Sequence, residues 1–238
     1  MKTDRLQILF AHNDEALPPA FSPTPPPHLS ARLLRKWKSR RTAHFLLNRL
    51  LQQSGLDPNL LKDMQRTISD RPYLDHDRLD FNISHSGDWV AVIFSLSQPK
   101  RAVGIDIEHP QKIRRYRDLL RYFAAANEIA EIENGNILPQ LDRLSGRFYL
   151  SWCLREAVLK SQGVGIVKLS EVRHSPAQQR IFSAHCPKGE LHFYHQLPFY
   201  LAYFFEQSDF MLSSPTLAQW QNGQIVPIQH SPIIYQVN

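Results

Sequence analysis

The sequence predicts an α+β protein made of two lobes of similar size. Its 238 residues are enough for two lobes with a sizeable core, and its 42% hydrophobic and 21% charged content is ordinary for a soluble globular protein. Both halves of the chain mix predicted helices and strands in roughly the same manner, without a sequence repeat. We therefore expect an N-terminal lobe at 1–104, a C-terminal lobe at 105–206 and an irregular tail at 207–238.

The first lobe is predicted to open with a strand, a stiff loop and a long helix. The strand lies at 6–12. Six prolines within 17–28 predict an extended surface loop, because proline lacks an amide donor and restricts φ. Ser30 can cap a helix that runs to about Ser54 and ends at Gly55.

This helix is strongly basic. No Asp or Glu occurs from 16 to 56, whereas the same stretch contains Arg32, Arg35, Lys36, Lys38, Arg40, Arg41 and Arg49. Because no acidic residue stands three or four positions away to pair with them, we expect these side chains to face an anion. The net charge of +6 likewise favours an acidic partner, such as nucleic acid, an anionic membrane, an acidic protein or a polyphosphate ligand.

The remaining elements alternate between strands and helices. The next predicted strands lie at 64–69, 80–84, 89–96 and 103–108. Short turns join the last three, which favours an antiparallel meander. The second lobe is predicted to have helices at 112–123, 126–133 and 142–162, followed by strands near 168–173, 180–185, 190–196 and 199–206.

The strand at 103–108 carries two acids on one face. Its alternation places Asp106 and Glu108 opposite the apolar Ile105 and Ile107. Two adjacent carboxylates repel each other, and a hard divalent cation is one way to neutralise them. Gly104, on the same face, leaves space where a ligand could approach. The alternative is the solvated edge of an ordinary half-buried strand.

The helix at 142–162 carries charge where its apolar stripe should continue. Leu144, Phe148 and Trp152 lie on one stripe, so the next core position should be 155 or 156. Arg155 and Glu156 occupy these positions, and Lys160 follows Glu156 by one turn. A surface Glu–Lys pair is the common explanation. Charge on the inward face of a helix more often indicates a functional site.

Together these motifs resemble a known enzyme family. The segments VGIDIE at 103–108 and WCLREAVLK at 152–160 resemble the paired signature of the 4′-phosphopantetheinyl transferases. The chain length, NISHS at 82–86 and RPYL at 71–74 resemble the larger, monomeric surfactin-synthetase-activating type. The resemblance implies two similar α+β lobes related by a pseudo-twofold axis, with coenzyme A bound in the cleft between them.

The resemblance also implies the reaction and its charged centre. The family transfers the phosphopantetheine arm of coenzyme A to a serine of an acidic apo carrier protein, with magnesium, and releases 3′,5′-ADP. Asp106, Glu108 and Glu156 match its magnesium-binding carboxylates. Glu156 also matches the residue that helps to deprotonate the acceptor serine, and Lys160 matches the lysine that contacts the coenzyme A pyrophosphate.

Five further residues are implied to contact coenzyme A. Ser84 and His85 match residues at its phosphates, and Arg71 stands where a lysine usually reaches the 3′-phosphate. Arg41 aligns with an arginine at the nucleotide end. Arg155 replaces the usual lysine before the helix glutamate, which keeps the charge but changes its geometry.

Two other classes of function remain open. A non-catalytic basic module could bind nucleic acid or an acidic protein, but it would leave the three carboxylates unexplained, and no RNA-binding aromatic motif or zinc-finger spacing is present. Another magnesium-dependent phosphotransferase or nuclease could share the acids, but no P-loop is present.

The sequence also bears on location. No apolar run is long enough to cross a bilayer, and the N-terminus is too polar for a signal peptide. Cys153 and Cys186 are therefore expected to be reduced thiols in a cytoplasmic protein, and the family resemblance implies that this protein is a monomer.

Overall fold

A computed structural model describes residues 4–207 and 215–238. Its strands are β1 (Arg5–His12), β2 (Gln65–Arg66), β3 (Pro72–Tyr73), β4 (Leu79–Ser86), β5 (Trp89–Leu96), β6 (Val103–Glu108), β7 (Arg173–Ser175), β8 (Arg180–Phe182), β9 (Gly189–Tyr194), β10 (Tyr200–Glu206), β11 (Thr216–Gln221), β12 (Gln224–Pro227) and β13 (Ile233–Val237). Its α-helices are α1 (Ala31–Gln53), α2 (Tyr116–Leu120), α3 (Ala126–Glu133) and α4 (Leu144–Ser161). These elements confirm the mixed α+β class.

The first sheet contains five strands in the order β12-β11-β1-β5-β4. Helix α1 covers one face of it through Phe45, Leu46 and Leu50. Both predicted ends of α1 are confirmed. The Ser30 side chain accepts a hydrogen bond from the Leu33 amide, and Gly55 has a φ of 71°.

The second sheet contains six strands in the order β6-β10-β9-β13-β8-β7. Helix α4 packs on β6 and β10 and is buried on nearly all sides. The helix ends at Ser161, and Gly163, the predicted stop, follows its C-cap with a φ of 66°. Its charged residues therefore lie inside the protein rather than on a solvated face.

The two sheets pack face to face. In β10, Leu201, Tyr203 and Phe205 point into the layer between the sheets, whereas Ala202 and Phe204 point toward the core around α4. Strand β1 alternates in the same way between this central layer and the core under α1. Because side chains alternate between the two faces of each strand, one strand contributes to two cores. The protein therefore has three cores: one under α1, one between the sheets and one around α4.

The predicted three-strand meander is wrong for β6. Strands β4 and β5 pair antiparallel as expected, but β6 pairs with β10 in the second sheet. The junction between β4 and β6 is made by side chains instead of backbone pairs. Alternate backbone amides donate to alternate β4 side chains at 3.0–3.2 Å: Val103 to Asp80, Ile105 to Asn82, Ile107 to Ser84 and His109 to Ser86.

Other predicted elements also need correction. Residues 166–171 form a short 3₁₀ helix rather than the strand expected near 168–173. The segment 207–238 is not an irregular tail in its described part, because β11 and β12 extend the first sheet and β13 lies inside the second. Residues 208–214 lie outside the described residues. The boundary expected at 104/105 falls inside β6, which belongs wholly to the second sheet, and the division into domains stays a prediction.

Two features concern the environment of the chain. Across residues 4–207 and 215–238, no helix is long and apolar enough to span a membrane. Cys153 and Cys186 are both free thiols, as expected.

Candidate active site

Asp106 and Glu108 lie on the face of β6 that α4 covers. Their neighbours Ile105 and Ile107 point into the layer between the sheets, so the alternation of the sequence determines which side chains meet the helix. Ala202 and Tyr200 of β10 stand opposite the two acids in the antiparallel register. The acids are therefore held by a buried, paired strand and not by a solvated edge.

Gly104 has a different role from the one expected. A Cβ at this position would overlap the backbone carbonyl oxygen of Ala157 on α4. The space beside Gly104 is filled by the helix backbone, so it does not admit a ligand. The glycine instead allows α4 to approach β6 closely enough for side chains of both elements to meet.

Lys160 lies between Asp106 of β6 and Glu156 of α4 and forms an ion pair with each. Its Nζ lies 2.5 Å from Asp106 Oδ1 and 3.7 Å from Glu156 Oε2. Nζ also donates to Ser84 Oγ at 3.2 Å. Burial opposes the charge of Lys160, but the carboxylates of Asp106 and Glu156 outweigh this effect and raise its pKa. The Lys160 side chain is 29% exposed, and its ammonium group stays charged at the edge of a buried acidic pair.

Glu156 is poised to exchange a proton near neutral pH. Its side chain is only 7% exposed. Burial raises its pKa, Lys160 lowers it, and the charges of Asp106 and Glu108 raise it further, to about 7. A carboxyl group with this pKa can act as a general base at physiological pH.

Glu108 is oriented by a hydroxyl group. Ser86 Oγ donates to Glu108 Oε2 at 3.1 Å. Burial and the neighbouring Asp106 raise the pKa of Glu108. The same site thus contains a second acid whose negative charge is costly without a cation nearby.

The oxygens at this site suit a hard cation. Asp106 Oδ2 is buried and has no hydrogen-bond partner among the described residues, although an unpaired buried oxygen is costly. Carboxylate oxygens are the ligands that magnesium prefers. Across the described residues, however, no three His, Cys, Asp or Glu side chains already form a metal-binding group. Glu156 instead faces Lys160.

His85 lies at the end of β4 beside the basic face of α1. A cavity of about 630 Å³ is lined by His85 together with Arg32, Arg35, Lys36 and other residues. Desolvation lowers the pKa of His85, and Lys160, Lys36 and Arg40 lower it further. Each of these cations disfavours a positive charge on the His85 ring. Together they create a positive potential at the cavity, which attracts anions.

The basic face of α1 is only partly free. Arg35 pairs with Asp88 at 2.9 Å, and Lys38 pairs with Asp14 at 2.5 Å, so the expectation that all these cations face an anion is too broad. Within the described parts of the chain, Arg32, Lys36 and Arg40 have no ion-pair partner. These three remain available for an anionic ligand.

Arg71 is close to the site but already has a partner. Its guanidinium Nη2 lies 2.9 Å from Asp80 Oδ2 and also donates to the Val103 carbonyl at 3.3 Å. A cavity of about 260 Å³ is lined by Arg71, Glu156 and Lys160, among others. Arg71 therefore borders the same space as the acidic cluster while helping to connect β4 and β6.

Arg41 and Arg155 are not brought to the acidic cluster. Arg41 donates to the Asn13 carbonyl at 2.9 Å and stacks over Trp37, beside a separate cavity of about 290 Å³. Arg155 is fully buried and lies 2.5 Å from Glu128 Oε2. It lies about 100° around the helix from Glu156, so it points away from Asp106 and has no access to a ligand there.

Sequence reasoning missed the β4 side chains that hold β6. Asp80 and Asn82 each accept a hydrogen bond from a backbone amide of β6. Ser86 accepts one from the amide of His109, the residue that follows β6. A signal was present, because polar residues occupy every second position from 80 to 86. This period-two pattern indicates a polar face, which in a buried strand requires partners.

Comparison with known proteins agrees with this geometry. Residues 102–212 match the family model of the 4′-phosphopantetheinyl transferase superfamily. A Haemophilus influenzae protein that carries the name of a 4′-phosphopantetheinyl transferase is 46% identical over 211 residues, or 88% of this chain and 86% of the relative.

Two further relatives match over shorter stretches. The 4′-phosphopantetheinyl transferase Sfp of Bacillus subtilis is 34% identical over 36% of this chain and 34% of its own length. The 4′-phosphopantetheinyl transferase AcpT of Salmonella typhi is 31% identical over 52% of this chain and 60% of its own. Because the first relative matches over most of both lengths, the chain belongs to the 4′-phosphopantetheinyl transferase superfamily.

Proposed function

We propose that this enzyme transfers the 4′-phosphopantetheine arm of coenzyme A to a serine of an acidic apo carrier protein, with magnesium. The serine oxygen forms a bond to the β-phosphorus of coenzyme A, and the bond from that phosphorus to the bridging oxygen breaks to release 3′,5′-ADP. The observation that carries this proposal is the meeting of Asp106 with Lys160 and Glu156 at one buried junction. Phosphoryl transfer depends on such positioning and charge neutralisation.

Asp106, Glu108 and Glu156 would hold the magnesium ion. The unpartnered Asp106 Oδ2 supports this assignment most directly. When bound, magnesium would neutralise charge on the transferring phosphoryl group. Glu156 would have to turn from Lys160 toward Asp106 and Glu108, whose negative charges add to the effect of burial in raising its pKa.

Positive and polar groups around the cluster would bind coenzyme A. Lys160 would face the pyrophosphate, with Ser84 and His85 at the phosphates. Arg71 and Arg41 would reach the 3′-phosphate and the nucleotide end, the former from the cavity that it shares with Lys160. Arg155 is left out of this binding set because it is buried against Glu128.

Glu156, directly or through a water molecule, would take the proton of the acceptor serine. Its pKa of about 7 supports this role, since a general base works best when its pKa is near the working pH. The positive charge of Lys160 would stabilise the ionised form of Glu156.

The carrier would approach across basic surface. Arg32, Lys36 and Arg40 lie on the side of α1, and three cations close to Glu108 in the chain form a second group: Lys112, Arg114 and Arg115. Complementary charge would steer an acidic carrier toward the site.

We further propose the wider arrangement of the molecule. The two sheets with their helices would be the two pseudo-twofold lobes, with coenzyme A in the cleft near β4, β6 and α4. The enzyme would act as a monomer in the cytoplasm.

The reaction can be tested by mass spectrometry. Apo carrier proteins from fatty acid, polyketide and peptide synthesis are incubated with enzyme, coenzyme A and magnesium. We expect a mass gain of one phosphopantetheine group with the wild type and none with Asp106→Ala. Asp118→Ala, which removes an exposed carboxylate paired with Arg121, is the matched control and should retain activity. No gain on any carrier with the wild type would refute the proposal.

A further inference from the structure

Ser84 and Ser86 both connect a backbone amide of the β6 segment to a carboxylate. Ser84 Oγ accepts from the Ile107 amide at 3.2 Å and donates to Asp106 Oδ1 at 3.1 Å. Ser86 Oγ accepts from the His109 amide at 3.0 Å and donates to Glu108 Oε2 at 3.1 Å. Each serine thus connects β4 both to the backbone of the β6 segment and to one of the two acids of β6.

The direction of these bonds follows from chemistry. A backbone amide can only donate, so the Ser86 oxygen must accept from His109. The hydroxyl has a single hydrogen, and an ionised carboxylate can only accept, so this hydrogen goes to Glu108. Among the described residues, Ser86 is the one hydrogen-bond partner of the Glu108 carboxylate.

We propose that Ser86 is a positioning residue for Glu108 and sets its affinity for the metal. This inference rests on the proposed metal-binding role of Asp106 and Glu108. Glu108 has a longer and more flexible side chain than Asp106, and it lies at the last position of β6, where strand pairing ends. A group that orients a ligating carboxylate typically changes metal affinity about 10- to 100-fold when it is removed.

The test measures metal binding without the reaction. Manganese is titrated into the full-length, metal-free protein, and free Mn²⁺ is followed by electron paramagnetic resonance. Ser86→Thr and Ser86→Val have the same shape and differ in the hydroxyl group. We expect S86T to bind like the wild type and S86V to bind about 10- to 100-fold more weakly. Ser97→Ala removes another hydroxyl bond, to the Pro99 carbonyl, and should bind like the wild type.

A second measurement isolates the pair. In a protein that already carries Glu108→Ala, the difference between S86T and S86V should disappear, because the acceptor of the hydrogen bond is gone. Circular dichroism confirms that each variant is folded.

The outcomes separate this inference from the proposed function. Equal binding by folded S86T and S86V, or equal weakening of both, would overturn the role of Ser86 and leave the metal site intact. If the wild type does not bind Mn²⁺, or if Asp106→Ala binds it equally well, the metal site itself is refuted, and the role of Ser86 falls with it. If S86V does not fold, binding by S86T as weak as that of Asp106→Ala would overturn the inference, and wild-type-like binding by S86T would support it.

Discussion

Replacing Glu156 by glutamine should stabilise the metal-free protein at alkaline pH. The folded protein holds the pKa of Glu156 at about 7, compared with an ordinary value of 4.5. Between these values the folded state keeps a proton that the unfolded state has lost. The free energy of unfolding of the wild type therefore falls as pH rises through this window.

The size of the effect follows from the shift. Each pKa unit corresponds to about 1.4 kcal/mol, so the carboxylate costs the folded state roughly 3 kcal/mol above pH 7. The side chain is only 7% exposed, so solvent screens little of this cost. Glu156→Gln removes the charge and should gain most of this energy at pH 8 and little at pH 5.

Urea denaturation followed by tryptophan fluorescence, with EDTA present, measures both free energies. Glu171→Gln is the control, because hydrogen bonds from Lys168 and His185 lower the pKa of this exposed acid. Its neutralisation should therefore not stabilise the protein at pH 8. The reasoning is refuted if Glu156→Gln is no more stable than the wild type at pH 8, or if its gain is the same at both pH values.

Lys160→Ala should lower the transfer rate about 100- to 1,000-fold, since it removes a charge aimed at the site. Arg155→Lys should instead lower the thermal midpoint with a smaller effect on rate, because its ion pair is buried elsewhere; equal rate losses would contradict these assignments. Gly104→Ala should destabilise the protein by about 1–3 kcal/mol in chemical denaturation, because its methyl group would overlap the Ala157 carbonyl; an unchanged midpoint would contradict this packing. His85→Gln should raise KM for coenzyme A roughly tenfold in steady-state assays, and an unchanged KM would remove His85 from the phosphate site.

Local signals were enough to predict many of the elements. The proline-rich loop, the Ser30 cap and Gly55 bound α1, and Gly163 ends α4. These features work within one or two turns of the chain, so their physical effect can be predicted without knowing the fold. The strand β13 could also have been predicted, because its sequence IIYQV is rich in β-branched and aromatic residues.

The partner of β6 could not be predicted in this way. Alternation shows which residues share a face but does not identify the strand that completes the ladder. Pairing with β10, a hundred residues away along the chain, leaves the other edge of β6 free to receive the side chains of β4. Hydrogen-bond requirements of the buried amides then explain the polar pattern on β4.

The candidate site shows the same difference between what local periodicity predicts and what long-range packing decides. The sequence alone places Asp106 and Glu108 on one strand face, and Glu156 and Lys160 on one helix face, because both periodicities are set by backbone geometry. It could not distinguish Glu156 from Arg155 as the residue that faces the acids, because α4 is buried all round and its apolar stripe does not mark a single inward side. Only packing against Gly104 and pairing with Glu128 decide that Glu156 turns toward Asp106 and Arg155 away from it, because these contacts join segments distant in the chain.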